Sequence, residues 1–168
     1  YNTFWLVKPS IPYSVSRNVT AVWHKNGTTY LIIAGGRTPS GVTQNVLMRN
    51  TLTNSDILLP PLPVSVERAG GFVLYDSLYI FGGSGDTGSI SSLNIFLKIN
   101  LNQPLFWSSK GNFPFPVSDM SVAKVSDSVV YSAGGRTMGT PIKNILRYSL
   151  NLNQWTIVGQ LPVIESGI

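Results

Sequence analysis

The chain has 168 residues, 43% of them hydrophobic and 11% charged, with 16 glycines, 11 prolines, no cysteine and a formal net charge of +5. This length suits one ordinary domain with a sizeable core, while glycine and proline this frequent break up long helices and favour short strands joined by turns. Disulfides, thiolate metal sites and cysteine nucleophiles are excluded, and no run approaches the ~18 apolar residues of a membrane-spanning helix.

In chain order, residues 1–14 hold Trp5 and then a proline turn, Pro9 to Pro12. Residues 15–63 contain an apolar run that ends in Gly35-Gly36, the alternating stretch that follows Asn45, and a leucine-rich tail without tryptophan. Within this unit, His24 to Thr28 reads as an exposed hairpin turn. Residues 64–116 hold four strand-like runs at 70–75, 77–81, 92–99 and 105–109, the second ending in Gly82-Gly83. Residues 117–162 repeat the scheme at 121–125, 128–133, 144–150 and 154–159, with Gly134-Gly135 after the second run. Residues 163–168 open a further unit.

Three markers share one period of about 50 residues, the range of solenoids and propellers. They are the glycine pairs, the asparagines Asn45, Asn94 and Asn144, and the prolines Pro12, Pro63, Pro116 and Pro162, each shortly before a new first strand. A four-stranded unit of this size cannot bury both faces alone, but several stacked around an axis can. Glycine after the second strand suits close approach to a neighbouring unit and positive φ.

These residues resemble the kelch repeat, in which an apolar run, a glycine pair and spaced aromatics recur at this period (Phe96 with Trp107, Tyr148 with Trp155). The resemblance covers almost the whole chain, although the first copy departs from it by having no tryptophan after its third run. It implies an all-β fold, a kelch-type β-propeller segment of four-stranded antiparallel blades. Residues 15–63, 64–116 and 117–162 would be full blades, 1–14 the tail of a preceding one and 163–168 the start of another. Propellers use 4–8 blades, so the expectation is a segment cut from a longer polypeptide. The remaining blades would lie in the same chain or in another copy.

Antiparallel connections alternate between the two faces of a blade. The turns after the glycine pairs therefore share a face with the links between blades. This groups Arg37, Thr38, Ser84, Asp86, Arg136 and Thr137 with Ser16, Arg17, Ser65, Glu67, Arg68, Ser118 and Asp119. As a binding site, this rim of guanidinium and hydroxyl groups suits acidic or polar ligands, and the kelch resemblance implies a protein or peptide partner there. The alternative is that these arginines tie neighbouring loops together through carbonyls and carboxylates, a duty that would recur in each blade. Trp5, Phe96, Trp107, Tyr148 and Trp155 read as core, and Trp23 as a packing residue near a turn.

No catalytic residue, cofactor or metal site is assigned. His24 is the only histidine, which argues against a triad or an imidazole metal site. Residues 84–92 form a glycine-rich turn without the lysine of a phosphate loop, and Asp86 stands too far from other acids for a calcium cage. The Lys and Arg residues lie singly, which argues against nucleic acid. Sequons at Asn18 and Asn26 lean towards a secreted or cell-surface protein rather than a cytoplasmic one. The leading expectation is a non-catalytic interaction scaffold. The alternatives are part of an extracellular carbohydrate-active or oxidase propeller with its reactive residues outside this segment, carbohydrate then being a partner, or a structural component of a larger assembly.

Overall fold

The structure, a computed structural model, describes residues 7–86 and 92–163. It is all-β, with no helix among the described residues. In the first blade-like sheet, β1 (Val19–Lys25) and β2 (Thr28–Ala34) form a hairpin. A short pair, β3 (Arg37–Thr38) and β4 (Gly41–Val42), leads to β5 (Val46–Asn50) and β6 (Asp56–Leu59). The second sheet runs through β7 (Gly70–Leu74), β8 (Ser77–Phe81), β9 (Ile95–Asn100) and β10 (Ser108–Asn112). The third contains β11 (Ser121–Ser126), β12 (Val129–Ala133), the short pair β13 (Arg136–Thr137) and β14 (Thr140–Pro141), then β15 (Asn144–Ser149) and β16 (Gln154–Gln160). The orders are β1-β2-β5-β6, β7-β8-β9-β10 and β11-β12-β15-β16, antiparallel throughout. We call these sheets blades 1, 2 and 3.

The period-2 pattern of the central strands explains the stacking. In β8, Leu78 and Ile80 pack towards blade 1, whereas Tyr79 and Phe81 pack towards blade 3. Blade 2 is therefore apolar on both faces, as a sheet covered on both sides must be. Leu78, Ile80 and Phe81 have no exposed surface, and burial of each such side chain contributes about 2 kcal/mol. The blade 1–blade 2 cluster is aliphatic around Trp23, while the blade 2–blade 3 cluster is aromatic. There Phe81 lies 4.7 Å from Trp155 and Phe96 5.2 Å from Tyr148, ring centre to ring centre. The first strands β1, β7 and β11 lie side by side at the inner end of the stack.

The Asn26-Gly27 turn joins β1 to β2 with φ of 48° and 75°, the pair of positive φ values that a two-residue type I′ hairpin needs. Gly82 has φ of 61°, and a Cβ placed there would stand 2.5 Å from the carbonyl oxygen of Val117. That carbonyl accepts the N–H of Gly83 at 2.7 Å. The glycine pair thus lets one blade bond its backbone directly to the link that leads into the next, and Gly36 N–H to Val66 C=O repeats the bond at 2.8 Å.

Blade 2 departs from the expected strand positions. The third strand starts at Ile95 rather than at residue 92, because Leu93 N–H is drawn to Gly83 C=O at 2.7 Å. The fourth strand occupies 108–112 rather than 105–109. Pro104 stands ahead of it, Leu105 and Phe106 are exposed, and the Trp107 indole turns inward to donate to Pro60 C=O at 2.9 Å. The recurring aromatics also prove not to be equivalent. Tyr148 pairs with Val130, four residues before Gly134, and the matching residue of blade 2 is Ile99, paired with Leu78. Phe96 belongs to the aromatic cluster and Trp107 packs against the aliphatic one, on the other face of their blade. Tyr148 and Trp155 are buried together as expected, Trp23 packs inside the aliphatic cluster, and Trp5 lies outside the described residues.

Candidate functional site

The link into each blade pairs with the turn after that blade's glycine pair. Ser16 bridges to Arg37, Glu67 to Ser84 and Ser118 to Arg136. Each bridge is a double hydrogen bond, 2.8 and 3.0 Å for Ser16 with Arg37 and 2.7 and 2.9 Å for Ser118 with Arg136. The next residue in each link is left-handed: Arg17, Arg68 and Asp119 have φ of 56°, 57° and 56°. These three are joined in turn, Arg68 N–H to Arg17 C=O at 2.8 Å and Asp119 N–H to Arg68 C=O at 3.0 Å. A backbone relay therefore runs from blade to blade beneath the expected binding face.

The side chains above this relay form one charge network. Glu67, 5% exposed, accepts from Arg37 Nε at 2.8 Å and Nη2 at 3.2 Å and from Arg17 Nη1 at 3.4 Å. Arg68 Nε stands 3.7 Å from the same carboxylate, and its Nη1 donates to Asp119 at 3.2 Å. Arg37 also reaches Asp86 at 3.5 Å. Burial alone would raise the Glu67 carboxyl, but the hydrogen bond and charge of Arg37, with Arg17 behind them, outweigh it and hold Glu67 below the ordinary carboxylate range. Arg37 is correspondingly raised, chiefly by its bond to Glu67.

The candidate residues thus divide. Arg37 and Arg68 bind carboxylates of neighbouring blades, as the loop-tying alternative requires. Arg136 donates to Gly139 C=O at 2.9 Å within its own turn. Thr137 donates to Pro116 C=O at 2.7 Å and Thr38 to Gly41 C=O at 3.2 Å. Ser84 and Ser118 are buried, so their hydroxyls are withdrawn from solvent, while Ser65 is half-buried. The groups that remain outermost are the Arg17 and Asp86 side chains, 47% and 61% exposed, with part of Arg37 at 36%.

Glu67, which the sequence groups with the arginines of this face, is the hub of the network and stands in the repeated lead-in Ser16-Arg17, Glu67-Arg68 and Ser118-Asp119. One anchor was not singled out from sequence. Arg49, 8% exposed, grips Asp56 at 2.7 and 2.6 Å and donates to the carbonyls of Pro9 and Ser10. It fastens the described part of the leading stretch to blade 1, and its bond holds Asp56 below the usual carboxylate range.

At the opposite end of the blades, the Trp23 indole donates to Asp76 at 3.0 Å, a bond that lowers the Asp76 carboxyl. His24 is exposed and lies 3.0 Å from the Thr29 hydroxyl. The two sequons differ: Asn26 sits exposed at a hairpin tip, whereas Asn18 is half-buried and donates to Val19 C=O and to the Thr20 hydroxyl. Among the described residues no group of three His, Cys, Asp or Glu side chains could hold a metal ion, and no helix is long and apolar enough to cross a membrane. No protein-family model matches the chain, and the search of curated proteins returns no match.

Proposed function

We propose that the chain is a kelch-type β-propeller segment serving as a non-catalytic scaffold that binds a peptide or protein partner through its glycine-pair face. The observation that carries this reading is the relay with its charge network, which holds loops from three blades at fixed positions. The exposed Arg17, Arg37 and Asp86 crown that platform. A rigid frame displaying charged loop tips is how folds of this kind present specificity. The propeller reading draws support from register. The row Ala123, Tyr131, Arg147 of blade 3 corresponds to Phe72, Tyr79, Lys98 of blade 2, which faces its neighbour, so a further blade would stack on blade 3 in the same way. That blade would come from the same polypeptide or from a second copy.

The test is selection of displayed peptides on the folded chain, followed by Arg17→Glu with Asp86→Lys. Selected peptides lose at least about tenfold in affinity if the exposed charges of this face contact them. Peptides that retain full affinity for the double variant place their site elsewhere. A second reading, an extracellular carbohydrate-active or oxidase propeller, rests on the exposed sequon at Asn26.

A further inference from the structure

Among the described residues each blade ends in an outer strand with one edge unpaired, and the three edges differ. β6 is 4 residues long, starts at Asp56 and runs into Pro60 and Pro61. β10 carries Lys110 and loses register between Ser109 and Asn112. Brevity, charge, proline and bulges are the devices that keep an edge from pairing with another chain. β16 is 7 residues long, without charge or proline. It exposes Ile157 at 56% and Val158 at 50%. Its one irregularity, the shift at Val158, comes after a regular stretch from Gln154 to Ile157.

The ladder shows which backbone groups face outward. Gly134 N–H donates to Asn144 C=O and Leu150 N–H to Ser128 C=O, so the even-numbered residues of β15 bond towards β12. Arg147 and Ser149 then bond Thr156 and Gln154, and Trp155 and Ile157 turn their N–H and C=O groups to the free edge. Arg147 stands beside Thr156 on one face of this edge and has no carboxylate partner among the described residues. An added strand would lie two strand spacings from Arg147, roughly 10 Å, within the combined reach of a guanidinium and a glutamate side chain.

We propose that the free edge of β16 docks an extended segment of a partner protein by strand addition. Main-chain bonds to Trp155 and Ile157 would supply affinity, β-branched side chains would cover Ile157 and Val158, and an acidic residue opposite Thr156 would meet Arg147. This edge is distinct from the glycine-pair face, but Arg147 belongs to the row on which a further blade would stack, so its charge pair with the added strand requires that row to be open.

The probe is a fluorescein-labelled, end-capped nonapeptide of alternating Thr and Val with one central Glu, titrated with the full chain and read by anisotropy. The expected result is saturable binding, weakened at least about tenfold by Ile157→Lys and by Arg147→Glu, and restored for Arg147→Glu by the same peptide with Lys at its centre. Thermal melts establish that each variant is folded. If Ile157→Lys does not fold, the charge swap at Arg147 decides alone. Absence of saturable binding, or binding indifferent to both substitutions, overturns the proposal. So does sedimentation showing that the chain pairs with its own copy through β16, abolished by Ile157→Lys.

Discussion

Substitution of Gly82 by alanine separates backbone conformation from close approach. Gly82 and Gly139 both have positive φ, 61° and 81°, but a Cβ at Gly139 meets nothing within 4 Å. Gly139→Ala therefore carries only the left-handed penalty, about 1 kcal/mol. Gly82→Ala carries the same penalty and also drives a methyl to 2.5 Å from the Val117 carbonyl oxygen. The blades must part to relieve that contact, which weakens the Gly83 to Val117 bond, worth about 1 kcal/mol net, and loosens the aromatic cluster beneath it by about as much again. The expected cost is about 3 kcal/mol, three times that of Gly139→Ala. Equilibrium urea unfolding followed by tryptophan fluorescence measures both variants, since Trp107 and Trp155 report on the two blade interfaces. Equal costs at the two positions would refute the idea that blade spacing, rather than local φ, requires the glycine pair.

Acid should weaken the fold: Glu67, Asp56 and Asp76 all sit below their ordinary values, so they add stability that is complete above the usual carboxylate range near 4.5 and lost as pH falls through their lower folded values. Urea midpoints taken down the pH scale should show that decline, and Glu67→Gln should flatten part of it; an unchanged slope would remove Glu67 from the account. Arg49→Met should release the stretch before β1, seen as protease cleavage around residues 7–13 that the parent chain resists. On expression through a secretory pathway, Asn26→Gln should remove any attached glycan, read as a mass change, while Asn18→Gln should not.

Much of the fold was legible because it is written in repeated, local terms. The glycine pairs and period-2 runs located the strands of blade 3 to within a residue or two at each end and fixed which loops share a face. The misplacements in blade 2 arose where a distant partner decides: the Gly83 carbonyl for Leu93 and the Pro60 carbonyl for Trp107. Aromatic spacing misled for a related reason. A one-residue change of parity moves a side chain to the opposite face, and Phe96 and Trp107 serve different interfaces. The site was half legible. Sequence placed the arginines with Glu67 and Asp119 on one face, but which of them pair across blades, Arg37 with Glu67 and Arg68 with Asp119, depends on the stacking geometry. Left-handed φ at Arg17, Arg68 and Asp119 is also hard to foresee, because non-glycine residues adopt it only when their surroundings compel it.

The relay through Arg17, Arg68 and Asp119 separates two things that could have been in conflict, the spacing of the blades and the identity of the loops. Spacing is set by main-chain groups and the glycine pairs that let them meet, so it survives changes of side chain in the turns beyond them. The short turns between Thr38 and Gly41 and between Thr137 and Thr140 project beyond that anchor. They can lengthen or change composition without altering the angle between blades, much as teeth can be recut on a gear whose hub is keyed to its shaft. Divergence among relatives of this chain should accordingly concentrate in those turns, leaving the Ser-Arg and Glu-Arg lead-ins and the glycine pairs as the slowly changing hub.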